Sequence, residues 1–332
     1  MKKIVSFVLV VLLAATCVFA GGSQENGSYT IKVGDNWGVT HPMGRAIAEV
    51  FKPMVESKTN GAVKVDIYSD GTLGSEGDLW NGVRNGSIEM AVVGTPFNQE
   101  WPKSLISDWP FLYSDLSHAK RVWTGTIADE MNAEFHQKFP TAYMLAWGPN
   151  SARTFSSNKK LTQVDDFVGQ KFRMPSNPIH VGIAQNLGAS AQVIPLNELF
   201  SALETGVVDG QDNGMVTILS QSFDQVQKYI YETNHIIATL EIIVSASFFD
   251  KLPAEYQETI KEAAKATTEK AWNDYIESVD VDRETLRSRG LTVTACTDAD
   301  RQTIIAKIQP LLDKLYADNA WATDLTARIQ KY

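Results

Sequence analysis

The feature that most constrains this fold is a long stretch near the C-terminal end that contains neither proline nor glycine. Between Pro253 and Gly290 the chain is rich in Ala, Glu and Lys. Proline suits a first helical turn and glycine suits a C-terminal cap. A single helix over residues 254–289 would be roughly 55 Å long at a rise of 1.5 Å per residue. Because that length exceeds the diameter of one small domain, we predict that the helix runs across two domains.

Two segments with alternating strand and helix patterns precede this helix. Period-two or continuous apolar runs predict strands over 29–37, 62–71, 89–96, 141–149, 152–158, 169–175 and 191–196. Apolar residues at helical spacing predict helices over 42–61, 76–88, 177–188 and 197–208. Such alternation is typical of α/β folds with a parallel sheet. With two α/β units on one chain, the cleft between them is the expected ligand site.

The first twenty residues indicate export. Lys2 and Lys3 precede an apolar run that ends in small residues at Ala20, which is the order of a secretory signal peptide. We therefore expect residues 1–20 to be a signal peptide that is cleaved after Ala20, and the mature protein to be periplasmic. The alternative is lipid-modified cleavage before Cys17, which would anchor the protein to a membrane.

Charge and cysteine content limit the possible partners. The formal net charge is −9, and loss of the two signal-peptide lysines moves it to −11. An acidic chain binds nucleic acid poorly, so no nucleic-acid partner is expected. Cleavage also removes one of the two cysteines, and Cys296 alone cannot form a disulfide framework.

No motif for catalysis or metal binding is present. The histidines are scattered without an HExxH pair, and no GxSxG, Walker A or GxGxxG pattern occurs. The sequence therefore predicts no enzyme, no cofactor and no metal site. The alternative that stays open is an exported lyase or hydrolase that uses Glu76 or Asp212 as a general base.

An arginine within an apolar strand raises the question of its partner. Arg173 lies between Phe172 and Met174 in "FVGQKFRMPSNP". Burial of an unpaired guanidinium is unfavourable, so this side chain needs a counter-charge. The residues alone leave two candidates, which are an internal carboxylate and an anionic ligand.

Five blocks of the sequence resemble one known family in order along the mature chain. They are "LGSEGDLWNGVRNGSIEMAVVG", "WPFLYSDLSHAKRVW", "GQKFRMPSNP", "IPLNELFSALETGVVDGQDN" and "KLPAEYQETIKEAA". The chain resembles the periplasmic substrate-binding subunits of tripartite ATP-independent periplasmic (TRAP) transporters, the DctP family. The resemblance implies an α/β two-lobed periplasmic binding protein (flytrap) fold with a long helix spanning both lobes. We assign residues 28–150 with about 239–270 to lobe I, and 151–238 with about 271–332 to lobe II.

The resemblance also implies roles for individual residues. Arg173 matches the arginine that holds the ligand carboxylate, for which its planar fork is suited. Arg153 matches a second arginine that reaches the ligand, although a structural role between the lobes is the alternative. Asn213 matches the asparagine that bonds the bound acid, or else is a turn residue. Glu76 matches the glutamate that lies at the cleft.

Three further residues are weaker candidates. Trp37 and Asn36 follow the first strand, where an indole could cover the apolar part of a ligand, but core packing is an equal alternative. Met215 either lines the pocket or packs at the hinge. Leu196 stands where sialic-acid-binding members carry an aromatic residue, so sialic acid is not expected.

The resemblance implies a monomeric receptor that delivers a small organic acid to a sodium-coupled transporter. Its partners would be DctQ-like and DctM-like membrane subunits. C4-dicarboxylates, 2-oxo acids and sugar acids all satisfy one arginine fork, so the ligand is left open. A sensor-only binding protein is a further alternative.

Overall fold

The computed structural model describes residues 28–332. The predicted signal peptide, its cleavage after Ala20 and the alternative at Cys17 lie outside the described residues. Within residues 28–332, no helix has both the length and the apolar character required to cross a membrane.

The strands form two separate sheets. In chain order they are β1 (Tyr29–Gly34), β2 (Val63–Tyr68), β3 (Met90–Val93), β4 (Ala142–Ala152), β5 (Thr154–Ser157), β6 (Lys171–Met174), β7 (Ser190–Val193), β8 (Gly210–Asn213), β9 (Tyr229–Glu232), β10 (Ile237–Ser245) and β11 (Thr292–Ala295). The first sheet has the order β2-β1-β3-β10-β4, and the second has the order β11-β9-β5-β8-β6-β7. We call each sheet, with the helices packed on it, the first and the second lobe.

Both sheets are mixed, whereas the sequence pattern predicted parallel ones. In the first sheet β1 is parallel to β2 and β3, but β10 is antiparallel to β3 and β4. In the second sheet β6 is parallel to β7 and β8, but β5 is antiparallel to β8 and β9. β4 passes directly into β5 of the second sheet, and β9 passes directly back into β10 of the first. The outgoing and the returning strands therefore run in opposite directions, and they pair as β4 with β10 and as β5 with β9.

Two short connections carry the chain between the sheets. β4 ends at Ala152 and β5 begins at Thr154, so Arg153 is the residue of the first connection. Residues 233–236 form the second. The Arg153 amide donates to the carbonyl oxygen of Ile236 at 2.7 Å. The two connections therefore lie side by side.

Helices cover the faces of both sheets. They are α1 (Pro42–Ala46), α2 (Lys52–Lys58), α3 (Glu76–Asn85), α4 (Leu116–Trp123), α5 (Thr126–Lys138), α6 (Pro178–Asn186), α7 (Leu196–Glu204), α8 (Met215–Ser220), α9 (Ala246–Phe249), α10 (Ala254–Ser288), α11 (Asp298–Asp318) and α12 (Ala322–Ile329). Short 3₁₀ helices span Pro102–Asp108, Val164–Phe167 and Phe223–Gln225. The hydrophobic core lies between these helices and the sheets, and includes the buried indoles of Trp147 and Trp272.

The helix predicted over 42–61 is interrupted by a π-helical turn, Ile47–Phe51, between α1 and α2. The amide of Lys52 donates to the carbonyl oxygen of Ile47, five residues earlier. Pro53 follows directly, and a proline ring has no N–H and clashes with the carbonyl four residues before it. The wider turn removes this conflict without ending the helix.

α10 is one helix of 35 residues, which confirms the prediction of a single long helix. It packs on β4 and α1 of the first lobe and contacts β11 of the second. The amide of Ala152, beside the first connection, donates to the Tyr275 hydroxyl in the middle of α10 at 2.6 Å. Near its end Arg283 binds Glu232 of β9 at 2.6 Å. α10 therefore joins the two lobes.

The last helix returns to the first lobe. Its Ile329 carbonyl oxygen lies 2.8 Å from Nε2 of His118 on α4. The amide of Thr126 at the start of α5 donates to the hydroxyl of Tyr332 at 2.8 Å. Residues 322–332 thus contact the first lobe, although the sequence assignment grouped them with the second.

Candidate ligand-binding cleft

A cleft of about 280 Å³ lies between the two lobes. Five of the seven predicted ligand-binding residues line it, namely Arg173, Arg153, Asn213, Glu76 and Trp37. Its other polar lining includes Thr95, Asp108, Asn150, Ser176, Asn177, His180 and Thr239. The volume is just below the range of ~300–1,000 Å³ that is usual for ligand pockets, so the cleft suits a small solute.

Arg173 lies on β6 with its neighbours turned to the other face of the sheet. Phe172 and Met174 are fully buried in the core, as the strand period requires. Arg173 itself is buried, and its Nε donates to the carbonyl oxygen of Ile194 at 2.6 Å. Among residues 28–332, no carboxylate lies within 4.0 Å of its guanidinium. Its terminal amino groups are thus available for an anion in the cleft.

Burial lowers the pKa of Arg173 to about 10, and the positive charge of Arg153 acts in the same direction. Arg173 is nevertheless protonated at neutral pH. A charged guanidinium that is largely removed from water, and that has no close carboxylate in the part of the chain described, is a strong site for a ligand carboxylate, which it can bind through two parallel hydrogen bonds.

Arg153 has a different environment because it is paired within the protein. Its Nε donates to Oδ1 of Asp212 at 2.9 Å, and the guanidinium also bonds the carbonyl oxygen of Asp212. Both side chains are buried. Burial favours the neutral form of Asp212, but Arg153 and two nearby histidines outweigh it and hold the pKa of Asp212 well below its ordinary value. Arg153 lines the cleft and at the same time balances a buried charge.

His180 connects this pair to the first lobe. It lies in the first turn of α6, and its Nδ1 is 2.7 Å from Oδ2 of Asp212. Its Nε2 is 3.5 Å from Oδ1 of Asp108, at the end of the 3₁₀ helix Pro102–Asp108. Burial and Arg153 disfavour the charged imidazole, but the two carboxylates outweigh them and raise the pKa of His180.

Asp108 also bonds the second lobe through Asn177. Its Oδ2 accepts from Nδ2 of Asn177 at 2.8 Å, and from the hydroxyl of Thr95, within the first lobe, at 3.2 Å. Nearby, Nδ2 of Asn98 donates to the carbonyl oxygen of Ser176 at 2.9 Å. Sequence reasoning missed His180 and Asp108 because neither belongs to a local motif. The position of His180, in the helix that directly follows the arginine strand, was the available signal.

Glu76 enters the cleft from the N-terminus of α3. Ser75 and Asp78 form a capping box that fixes the start of this helix. Oε2 of Glu76 accepts from the amide of Gly94 at 2.9 Å. Burial raises the pKa of Glu76, although this hydrogen bond and the charges of Arg173 and Arg153 oppose the change.

Asn213 and Trp37 complete the predicted residues that line the cleft. Nδ2 of Asn213 donates to Oε1 of Gln211 at 2.6 Å. The side-chain oxygen Oδ1 of Asn213 is left to accept from a ligand donor. Trp37 is buried, and its indole N–H has no acceptor among residues 28–332. Both side chains therefore retain hydrogen-bonding capacity at the cleft.

Asn36 and Met215 are not among the residues that line the cleft. Met215 begins α8 and packs in an apolar cluster. Asn36 is buried, and neither atom of its amide group has a partner within residues 28–332. The main-chain carbonyl oxygen of Asn36 accepts from Nε2 of Gln221 at 3.2 Å, which links the lobes. A ligand contact by either residue stays a prediction.

The cleft combines two buried arginines with carboxyl, amide and hydroxyl groups, which is an arrangement for binding a polar anion. The residues that the structure describes contain no group of three or more His, Cys, Asp or Glu side chains placed to hold a metal ion.

Comparisons with known proteins agree with this geometry. Residues 33–319 match the model of the DctP family, described as bacterial extracellular solute-binding protein, family 7. A relative is the C4-dicarboxylate-binding periplasmic protein DctP of Rhodobacter capsulatus, which is 30% identical over 235 residues that cover 69% of each chain.

Solved structures of similar proteins share the fold. A TRAP periplasmic solute-binding protein from Haemophilus influenzae with bound L-gulonate is 33% identical, with a TM-score of 0.87 over 91% of this chain and 99% of that one. A sugar-acid-binding protein from Advenella mimigardefordensis in complex with galactonate is 26% identical, with a TM-score of 0.87 over 92% of this chain and 98% of that one.

Proposed function

The chain belongs to the DctP family of bacterial extracellular solute-binding proteins, and on this basis we propose that it is a periplasmic receptor that binds a small organic acid and delivers it to a sodium-coupled TRAP transporter. The observation that carries the proposal is the buried guanidinium of Arg173, which lines the cleft without a carboxylate within 4.0 Å among residues 28–332. A ligand carboxylate supplies the missing charge.

We further propose that the acid is a sugar acid. The guanidinium of Arg173 accommodates one carboxylate, and the remaining lining offers hydrogen-bond partners such as Asn150 and Asn213 rather than a second unpaired cation among the described residues. Hydroxyl groups both donate and accept, so they match these amide groups. The indole of Trp37 can cover the C–H face of such a ligand. Relatives with bound L-gulonate and galactonate support this class.

A receptor fits the cleft better than the enzyme considered as the alternative. Asp212, one of the two candidate bases, accepts from Arg153 and lies against His180. Its lowered pKa makes it a poor base. Glu76, the other candidate, has a raised pKa but is bonded to the amide of Gly94. The proposed cycle is therefore binding, lobe closure and release, without covalent chemistry.

The remaining parts of the proposal concern organisation and partners. The receptor acts as a monomer and docks on DctQ-like and DctM-like membrane subunits. Lobe I comprises residues 28–150 with about 239–270, and lobe II comprises 151–238 with about 271–332. The membership of the two sheets supports this division, but the contacts of α12 favour moving residues 322–332 to lobe I.

Calorimetry with L-gulonate, succinate and pyruvate tests the function. We expect L-gulonate to bind the wild-type protein. Arg173→Ala should weaken that binding by roughly 3–5 kcal/mol, the cost of removing one partner of a buried ion pair. Arg173→Lys should retain weak binding, because lysine keeps the charge and loses the planar fork.

Arg121→Ala is the matched control, since Arg121 is an exposed arginine on α4. It should bind the acid as the wild type does. Melting curves of the unliganded variants separate lost binding from lost folding. Normal acid binding by a folded Arg173→Ala variant would show that Arg173 is not the carboxylate site.

A further inference from the structure

We propose that Glu76 is a specificity-determining residue of the cleft, which takes up one proton when a hydroxylated monocarboxylate binds. This inference rests on the proposed function and adds to it the charge that the ligand carries and the residue that selects it.

The two sides of the cleft differ in charge. The second lobe and the first connection contribute Arg173, Arg153 and His180, whereas the first lobe contributes Glu76 and Asp108. A ligand that bridges the cleft must therefore direct its carboxylate to the second lobe. The groups that it directs to the first lobe meet carboxyl oxygens.

Most of these charges are already paired. Arg153 pairs with Asp212 at 2.9 Å. Each ring nitrogen of His180 faces a carboxylate, Asp212 at 2.7 Å and Asp108 at 3.5 Å. A neutral imidazole could donate to one of them only, so this geometry favours the charged ring. After these pairings the guanidinium of Arg173 is the cleft-lining cation, among the described residues, that has no close carboxylate.

A single negative charge therefore balances Arg173. In the empty cleft an ionised Glu76 can supply it from a distance, because Glu76 and Arg173 act on each other's pKa values. When a ligand carboxylate binds to Arg173, an ionised Glu76 becomes a surplus charge beside it. Uptake of a proton by Glu76 removes this repulsion. The neutral acid then donates its O–H to a ligand oxygen, while its other oxygen keeps the amide of Gly94.

The net effect of the surroundings of Glu76 is also to favour its protonated form. Burial already raises its pKa, and Asp108 contributes to the rise, whereas the Gly94 amide, Arg173 and Arg153 oppose it. Glu241, a fully buried acid on β10, interacts with both Glu76 and Asp108 and has a pKa well above its ordinary value. A bound carboxylate offsets the effect of Arg173 and excludes water, so it raises the pKa of Glu76 further.

The same charges select against other acids. The second carboxylate of a C4-dicarboxylate would lie against Glu76 and Asp108, and carboxylates at close range cannot both be ionised without cost. An amino acid would place its ammonium group there, and this would require Glu76 to be ionised. Proton uptake therefore distinguishes a hydroxylated monocarboxylate from an amino acid.

The direction in which the affinity changes with pH follows from the pKa of Glu76 in the empty cleft and its higher pKa in the ligand-bound cleft. The affinity for L-gulonate should be highest below the pKa that Glu76 has in the empty cleft. Between that pKa and the higher one of the bound state, the affinity should fall by up to about tenfold per pH unit. Above the bound-state pKa it should become constant.

Calorimetry of L-gulonate binding in buffers of different ionisation enthalpy measures the proton directly. The wild type should take up as much as one proton per ligand, with a maximum between the two pKa values. Glu76→Gln keeps an acceptor for the Gly94 amide and cannot ionise, so uptake should disappear and binding should become independent of pH. Glu204→Gln is the control, because Glu204 is exposed at the end of α7, and it should behave as the wild type does.

The binding results separate the role of Glu76 from the receptor function. L-Gulonate binding without proton uptake, or succinate binding tighter than L-gulonate in the wild type, would overturn the role of Glu76 and leave the receptor function intact. Binding of an amino acid in preference to the hydroxy acid would overturn it as well. Failure of the folded wild type to bind any of these acids would overturn the proposed function itself.

Discussion

Arg153 and Arg173 are two buried arginines of one cleft with different electrostatic environments. Arg153 holds the buried carboxylate of Asp212, which is itself bonded to His180. Arg173 donates from Nε to the carbonyl oxygen of Ile194 and has no carboxylate in reach among residues 28–332. Removal of Arg153 leaves the carboxylates of Asp212 and Asp108 with His180 as their close counter-charge, whereas removal of Arg173 leaves Glu76, whose raised pKa lets it become neutral by taking up a proton. The first arginine should therefore matter for folding and the second for binding.

The free energy of unfolding tests this difference. Arg153→Ala should lower it by roughly 3–5 kcal/mol, because it breaks a buried ion pair and leaves Asp212 to share the charge of His180 with Asp108. Arg173→Ala, measured without ligand, is the matched control and should unfold close to the wild type. Urea titrations followed by tryptophan fluorescence provide the measurement. Equal destabilisation of both variants would contradict the separation of roles.

The site was predictable where local sequence carries the signal. An arginine between two apolar strand residues needs a counter-charge, which drew attention to Arg173, and the family resemblance then favoured a ligand over an internal carboxylate. Glu76 was found through the resemblance, and the capping box of its helix explains how it is held at the cleft. His180 and Asp108 were missed because they meet only when the two lobes approach. No spacing rule along the chain connects a helix of one lobe with a 3₁₀ helix of the other.

At the scale of elements, α10 determines how the two lobes are held together. Its interior residue Ala264 is fully buried. Ala264→Pro removes a backbone hydrogen bond and introduces a steric clash, so it should lower the free energy of unfolding by roughly 3 kcal/mol or more. Thermal and urea unfolding without ligand measure this change.

Ala254→Pro is the matched control for this helix. Ala254 is the first residue of α10, where proline is tolerated, and the preceding Pro253 has φ −52° and ψ 144°, the extended conformation that a following proline requires. Its stability should remain close to that of the wild type. A stable Ala264→Pro variant would mean that α10 does not act as a continuous helix.

Elements were predicted more completely than their pairing. The long helix lacks proline and glycine, so its length was visible in the sequence. β10 was not predicted as a strand, and its antiparallel pairing could not be either, because strand direction depends on which sheet the chain returns to. The π-helical turn before Pro53 was also missed, since the apolar pattern of the helix continues through it.

At the scale of the whole molecule, direct hydrogen bonds hold the lobes in contact around the cleft. Nδ2 of Asn98 in the first lobe donates to the carbonyl oxygen of Ser176 in the second at 2.9 Å. Asn177 and Asp108 form a second bond between the lobes at 2.8 Å. These bonds favour the closed arrangement, in which a bound acid is shielded from water.

Loss of the hydrogen bond from Asn98 to Ser176 between the lobes should speed ligand release. Asn98→Ala removes about 0.5–1.5 kcal/mol of closure energy, which corresponds to roughly a twofold to tenfold weaker affinity. The change should appear mainly in the dissociation rate of L-gulonate, measured by stopped-flow fluorescence. Asn186→Ala is the control, because Nδ2 of Asn186 bonds Gly182 within α6, so release should be unchanged. A slower association rate with unaltered dissociation would contradict a role in closure.

The position of β10 also determines the order in which the chain can fold during synthesis. β10 lies inside the first sheet between β3 and β4, yet in the sequence it follows all but one of the strands of the second sheet. When synthesis has reached residue 152, β1 to β4 are present, but the strand that lies between β3 and β4 is still missing. Domains generally fold as units once all of their strands are available. We therefore expect the first lobe to complete its sheet only after Ser245 has emerged, when the second lobe has already received five of its six strands.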